Sequence, residues 1–334
     1  MRTAGAGRVL ISAPGFGRTG DGALRMLSEA GCEIVLNERG TEMSEQELLA
    51  AVRDADAIIA GVEKITAAVL DAAPRLRVIS RRGVGYDSVD VAAATARGIP
   101  VAITGGVLSD AVADLTMALI LAVARRVPEL DRLVKTGGWD RTPATDVWGK
   151  TLGIVGLGAI GRAVARRAAG FGMRLLAHDA QPDAAAASAL GVALCALDTL
   201  LAESDIVTLH VPLGPSTRGL MNDAALRRMK PTAILINTSR GPVVDEDALL
   251  RALREGRLAG AGLDVFMHEP IRDLALVQLP NVVATPHVAS HTVETLTRME
   301  MSCAEAVLAA LRGERPRYIV NPEVYDRRPT TPES

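Results

Sequence analysis

The sequence predicts an α/β chain of two doubly wound parallel-sheet domains with a cleft between them. Three observations carry this expectation. Short apolar runs alternate with amphipathic helical patterns along most of the chain, the pattern of parallel strands joined by crossover helices. One such unit contains a glycine-rich turn, Gly156-Leu157-Gly158-Ala159-Ile160-Gly161. The length of 334 residues, 49% of them hydrophobic, is enough for two cores, at roughly 150 residues per domain.

In the first half, strands are expected at 9–12, 33–36, 57–60, 77–80 and 100–102, with helices around 23–30, 45–54, 67–72 and 91–97. Ligands of such sheets gather at the carboxyl ends of strands. That singles out 61–65 and Arg81-Arg82-Gly83-Val84-Gly85-Tyr86-Asp87. The second loop joins cations to glycines whose N–H groups can turn toward an anion. It equally reads as a plain turn before the helix at Asp90, and both readings stand. Segment 109–126 is apolar on nearly every side of a helix, which calls for burial against another body, the second domain or a second subunit. Segment 135–150 is irregular, and its Trp139 and Trp148 are expected as packing anchors.

The unit at 151–179 has the physical parts of a dinucleotide site. Gly156 permits the tight turn, Gly158 lets backbone approach a pyrophosphate, and Gly161 lets the helix pack against the strand. The helix N-terminus offers N–H groups and a positive dipole end. Asp179, eighteen residues after Gly161, can accept hydrogen bonds from ribose hydroxyls and would repel a 2′-phosphate. No Arg or Lys follows in 180–183, so NAD is favoured over NADP. A second glycine motif, Gly15-Phe16-Gly17-Arg18-Thr19-Gly20, also follows a strand and precedes a helix. Pro14 removes a donor there, and Asp21 puts negative charge where phosphate would sit, so it is set aside.

Further strands are expected at 205–209, 233–237, 260–263 and 282–284, with helices at 223–229 and 245–255, giving a second sheet larger than the first. A long helix at 292–312 and a Pro- and Arg-containing tail follow. The helix is expected to return to the first body. The resulting division is 1–103 with 291–334 as a discontinuous substrate domain, and 104–290 as the NAD-binding domain.

Three strand-end segments carry chemistry. Arg240, beside Gly241, can grip a carboxylate with two parallel hydrogen bonds. His287, in Thr285-Pro286-His287, has the pKa range to pass the proton that accompanies a hydride. Glu269 can hold one imidazole tautomer and favour its charged form. The net charge of −2 gives no general attraction for nucleic acid or an anionic membrane. Cys32, Cys195 and Cys303 are far apart and make no CxxC, which suits a reducing compartment. No signal-peptide or membrane-length apolar run is present, so a cytoplasmic location is expected. No His/Cys spacing suggests a metal. There is no Gly-x-Ser-x-Gly elbow, and no Tyr is followed four residues on by Lys.

The chain resembles the D-isomer-specific 2-hydroxyacid dehydrogenases, especially their phosphoglycerate dehydrogenase and hydroxypyruvate reductase branch. The likeness spans about residues 50–320, through ISRRGVGYDSVD, GVLSDAVADLTMALIL, GLGAIGRAVA, HVPLGPSTRGLMND, INTSRGPVVDEDAL, GAGLDVF, HEP and TPHVAS. It implies a flavodoxin-like substrate domain and a Rossmann NAD-binding domain. Arg240 would orient the substrate carboxylate and carbonyl, with His287 as acid/base and Glu269 as its partner. Arg81, Val84 and Gly85 would contact substrate. Gly156, Gly158, Ala159, Ile160 and Gly161 would lie at the pyrophosphate and Asp179 at the ribose, with Val211, Pro212, Thr238 and Asp264 toward the nicotinamide. Formate dehydrogenases of similar fold have Gln where Glu269 stands.

The implied activity is NAD-dependent interconversion of a small D-2-hydroxy acid and its 2-keto acid, of the hydroxypyruvate or glyoxylate type, by a homodimer. Phosphoglycerate dehydrogenases carry an Arg-Ser-x-Thr-type phosphate segment where this chain has Ala60-Gly61-Val62-Glu63, with no arginine and an added negative charge. The chain also lacks the regulatory extension some of them carry. Oxidation of 3-phosphoglycerate remains the alternative, with Arg81 and Arg82 as compensating cations. A NAD(H)-sensing binding protein, like the corepressors of this fold, is the alternative of another class.

Overall fold

The computed structural model describes residues 7–326. The first strands are β1 (Arg8–Ile11), β2 (Glu33–Leu36), β3 (Ala57–Ala60), β4 (Val78–Arg81) and β5 (Val101–Ile103). Between them run α1 (Gly22–Glu29), α2 (Glu45–Ala51), α3 (Ala67–Asp71) and α4 (Val91–Ala96). All pairings are parallel, in the order β2-β1-β3-β4-β5. β3 and β4 are buried along their whole length, as strands covered on both faces must be. Ser44, Thr66 and Asp90 each cap a helix by accepting a backbone N–H of its first turn, which fixes where α2, α3 and α4 begin.

The second sheet contains β6 (Thr151–Val155), β7 (Arg174–His178), β8 (Val192–Leu194), β9 (Ile206–Leu209), β10 (Ile234–Asn237), β11 (Gly260–Leu263) and β12 (Val282–Ala284). Its order is β12-β11-β10-β9-β6-β7-β8, again all parallel. Its helices are α5 (Ser109–Ala124), α6 (Val127–Lys135), α7 (Ala159–Ala169), α8 (Ala184–Ala189), α9 (Leu197–Glu203), α10 (Asp223–Arg228) and α11 (Glu246–Arg254). The strand order reverses at β6, between β7 and β9, and the crevice outside such a switch point is where doubly wound sheets take ligands. α12 (Val293–Leu311) then returns to the first sheet, packing Val307 and Leu308 with Ile59 and Val78. The chain divides into two compact units, one of residues up to Leu108 together with those from His291 onward, the other Ser109–Ser290.

Several expectations need correction. The apolar α5 is buried by its own unit. Cβ atoms at Gly260 and Gly262 would run into Val123 and Leu119, so the bare backbone of β11 is what lets α5 lie so close. Trp139 and Trp148 are not packing anchors, being 82% and 77% exposed. Arg167 bonds Asp114 and Asp110 at 2.6 and 3.1 Å and ties α7 to α5. The short α8, β8 and α9 were not foreseen; α8 is nearly all alanine, which carries little periodicity.

The second correction of substance concerns the residues after α12. Ile319 bridges Ala102, and Asn321, 1% exposed, accepts from Val101 N at 2.8 Å and donates to Ile99 O at 2.9 Å. One side chain thereby extends the edge of β5. Residues 327–334 lie outside the described residues. Asn321→Ala would leave a buried donor and acceptor unpaired, and should cost about 1–3 kcal/mol in urea unfolding.

Candidate active site

The two glycine motifs meet different fates. At the first, Gly17 N donates to Glu300 Oε2 at 3.1 Å, and Glu300 is 1% exposed. Glu300 also pairs with Arg82 Nη1 at 3.1 Å, while Arg82 Nη2 donates to Pro14 O at 2.7 Å. A carboxylate from α12 therefore already sits where that loop would need a phosphate. At the second motif, a Cβ on Gly156 (φ +95°) would lie 2.5 Å from His210 O, and one on Gly161 would lie 2.1 Å from Gly156 O. Both positions require glycine. A Cβ on Gly158 would meet open space, and no side chain caps α7, which starts at Ala159 and Ile160. The turn is thus closed tightly from behind and open in front.

Asp179 follows β7 and is oriented by backbone: its Oδ2 accepts from Leu157 N at 2.7 Å and its Oδ1 from Gln181 N at 2.8 Å. Each oxygen keeps acceptor capacity for a further donor. Arg162, the cation on the adjoining turn, is held by Leu157 O at 2.9 Å and Asp183 Oδ2 at 3.0 Å. Half-buried Val211 and exposed Pro212 follow β9. Thr238 is buried, with its hydroxyl 3.1 Å from that of Thr116. An open glycine face, an uncapped helix start and an oriented acid together fit a dinucleotide.

Two strand ends on the same sheet edge build the second part of the site. Asn237 closes β10. Its Oδ1 accepts from Ser239 N and Oγ at 3.0 and 2.8 Å, and its Nδ2 donates to Arg240 O at 2.9 Å. This Asx turn sets the direction of Arg240, whose Nη1 also donates to Ser239 O at 2.8 Å. The next residue, Gly241, touches the backbone of the neighbouring turn: a Cβ there would lie 1.9 Å from Phe266 C. Glycine alone allows Arg240 to come so near the residues after β11.

Beyond β11, Asp264 is completely buried. Its Oδ1 accepts from Thr285 Oγ1 at 2.6 Å and Val288 N at 2.9 Å, and its Oδ2 from Ala289 N at 2.9 Å. Its carbonyl accepts from His287 N at 2.8 Å. These bonds fold residues 285–289 around one carboxylate, and His287 sits in the middle at φ +53°. His287 Nδ1 lies 2.6 Å from Glu269 Oε2, both side chains just over one-third exposed. Glu269 Oε1 accepts from Phe266 N at 2.9 Å. Burial raises the Glu269 carboxyl, but the His287 hydrogen bond and charge, the Phe266 N–H and the Arg240 charge together bring it below the usual glutamate value. Glu269 is therefore ionised at neutral pH. It accepts, and the hydrogen lies on Nδ1.

Arg240, Glu269 and His287 thus come together within the second unit. Asp264, expected beside the nicotinamide, is fully buried and holds the loop through its carboxylate. Arg81 is only 7% exposed, with Nη1 donating to Arg82 O at 2.7 Å, and Arg82 is committed to Glu300 and Pro14. Both cations are spent inside the first unit. Glu63 is likewise turned inward, 4% exposed, accepting from Ser12 Oγ and Gly61 N. Val84 and Gly85 are half-buried on the loop after β4. Asn237 and Glu246 escaped sequence analysis, and Gly241 entered it only as the neighbour of Arg240. The Asn-x-Ser spacing at a strand end could have revealed the first, whereas the other two act through contacts that sequence does not display.

Two further histidines, His210 and His178, have structural partners. His210 bonds Thr208 Oγ1 at 2.9 Å and is pushed down by burial to about 3, so it stays neutral. His178 Nδ1 lies 3.2 Å from Cys195 O. Among the described residues, no group of three His, Cys, Asp or Glu is placed to hold a metal ion.

The family model of the D-isomer specific 2-hydroxyacid dehydrogenase, NAD binding domain, matches residues 117–289. A glyoxylate reductase of Thermofilum pendens is 46% identical over 92% of this chain and 93% of its own. One of Korarchaeum cryptofilum is 50% identical over 86% and 89%. Among solved structures, a glyoxylate reductase from Paecilomyes thermophila superposes with TM-score 0.86 at 30% identity, covering 95% of this chain and 99% of that one. D-Lactate dehydrogenase from Aquifex aeolicus, complexed with NAD and lactic acid, gives 0.83 at 30%, covering 94% and 99%. The chain belongs to the D-isomer specific 2-hydroxyacid dehydrogenase family.

Proposed function

We propose that the protein is an NAD-dependent reductase of small 2-keto acids, of the glyoxylate or hydroxypyruvate type, working through Arg240, Glu269 and His287. The observation that carries this reading is the 2.6 Å contact of His287 Nδ1 with an ionised Glu269, within reach of the Arg240 charge. With Nδ1 held by Glu269, Nε2 is the ring atom left to present a proton. The carboxylate stabilises the imidazolium before transfer and fixes the ring afterward. Arg240 binds the substrate carboxylate and polarises the adjacent carbonyl. NADH, when bound, supplies the hydride. Asp179 selects it over NADPH by offering acceptors to two ribose hydroxyls and repelling a phosphate. The names of the relatives support glyoxylate, and a neighbouring structure described as an NADPH-dependent glyoxylate/hydroxypyruvate reductase supports the wider substrate class.

In this reading the first unit is the substrate domain, where Val84 and Gly85 offer backbone N–H groups to the substrate. A phosphorylated substrate is disfavoured, because Arg81 and Arg82 are turned into their own unit. The protein acts as a cytoplasmic homodimer. α6 has no buried residue, exposes Val127 and Val134, and is followed along the chain by the exposed Trp139, apolar surface that a second copy would cover. The three free thiols agree with a reducing compartment.

Following NADH oxidation with glyoxylate, hydroxypyruvate and 3-phosphohydroxypyruvate tests the reading. The first two should turn over and the third should be poor. His287→Gln should lower kcat by about 10²-fold or more while NADH still binds, and unchanged turnover would exclude the role. Arg240→Ala should weaken keto-acid use mainly through KM, because the carboxylate grip also exists in the ground state. Asp179→Ala should narrow the NADH/NADPH preference; a wild-type protein preferring NADPH contradicts the cofactor reading. In sedimentation, the wild type should run as a dimer and Val134→Asp should shift it toward monomer.

A further inference from the structure

A second carboxylate borders the His287–Glu269 pair. Glu246 opens α11 immediately after its cap, Asp245. Its Oε1 accepts from Met267 N at 2.5 Å, while the preceding N–H, that of Phe266, goes to Glu269 Oε1 at 2.9 Å. Two consecutive N–H groups of one turn are therefore divided between two carboxylates, and one of these holds the imidazole. The same turn is pressed from the other side by Gly241, which has no room for a Cβ. The Phe266–Glu269 turn is thus fixed by backbone contact on one flank and by Glu246 on the other.

The charges around the two acids differ. Burial raises the Glu246 carboxyl, Met267 N–H and the nearby His268 lower it, and Asp247 and Glu269 raise it, with a net upward shift. Glu269 faces His287 and Arg240 and lies below its usual value. The charge of Glu269 is one of the causes that raise Glu246. An acid in the first turn of a helix ordinarily serves the helix dipole. In that role its loss would alter stability and nothing else.

We infer that Glu246 is a positioning residue for the acid/base pair: it clamps the turn that presents Glu269 to His287. The inference rests on the proposed role of His287 as proton donor. The clamp and the charge are separable. Glu246→Gln keeps a carbonyl oxygen for Met267 N–H and removes the charge. Glu246→Ala removes both.

Two measurements test it. The first is the NMR signal of the His287 Nδ1 proton in the cofactor-free protein, assigned with His287→Asn. The second is kcat and KM for glyoxylate reduction by NADH. Glu246→Ala should lower kcat about tenfold, with little change in the keto-acid KM, and should displace the His287 proton signal. Glu246→Gln should restore kcat to within about twofold of wild type and the signal to its wild-type position, since the clamp remains. An undiminished kcat in Glu246→Ala, or a Glu246→Gln protein no better than Glu246→Ala, overturns the inference. Should the wild type fail to reduce any keto acid, the functional reading falls, while the His287 signal still decides whether Glu246 positions the pair.

Discussion

A carboxylate with no solvent access must have its oxygens matched by hydrogen-bond donors. Asp264 meets that demand with the hydroxyl of Thr285 and the N–H groups of Val288 and Ala289. The demand organises the site. Three donors from five consecutive residues can converge on one carboxylate only if the chain coils around it, and the coil carries His287 into the left-handed region at φ +53°. A non-glycine residue there is held against its preference, and such strain persists only where the surroundings fix it. Asp264 has no solvent exposure, yet the direction of the imidazole depends on it.

The partner of that imidazole is placed by a different means, close approach of backbone to backbone. Gly241 lies against Phe266 with no space for a methyl group, which sets the Arg240 turn beside the turn that carries Glu269. The outcome is electrostatic as well as steric. Near the guanidinium and the imidazole, Glu269 is held below its usual value despite its burial. Glu246, one turn away and without those cations, is raised. Two glutamates on adjoining segments thus receive opposite shifts, and opposed environments of this kind are how one site separates a permanently charged partner from a weaker, titratable neighbour.

The expected strand positions came within a residue or two of those observed, because buried parallel strands are written as short continuous apolar runs between turn residues. The strand-end residues Arg240, Glu269 and His287 were legible for a related reason: ligands of parallel sheets gather at the carboxyl ends of strands, although Asn237 and Asp264 at the same ends serve the fold. The alanine-rich α8 was not, since alanine favours helix without marking a face. Nor were the surroundings of α5 or the tryptophans. An apolar helix looks the same whether its own sheet or another molecule covers it, and a large side chain looks the same whether packed or exposed.

The glycine motifs mark the boundary most plainly. Local sequence determined that both were strand–turn–helix units, and the residues beside them already distinguished one from the other through Pro14, Asp21 and Asp179. What occupies each turn was decided by residues far away in the chain. Glu300, nearly three hundred positions on, satisfies Gly17 N–H, whereas no side chain caps the helix after Gly158. The tertiary structure likewise decided that Asp264 is buried, that Arg81 and Arg82 are spent internally, and that Glu246 borders the acid/base pair. The reason is physical. Propensity and periodicity depend on neighbours along the chain, but the satisfaction of a buried charge or donor depends on whichever group folding brings within about 3 Å, and no local pattern records that.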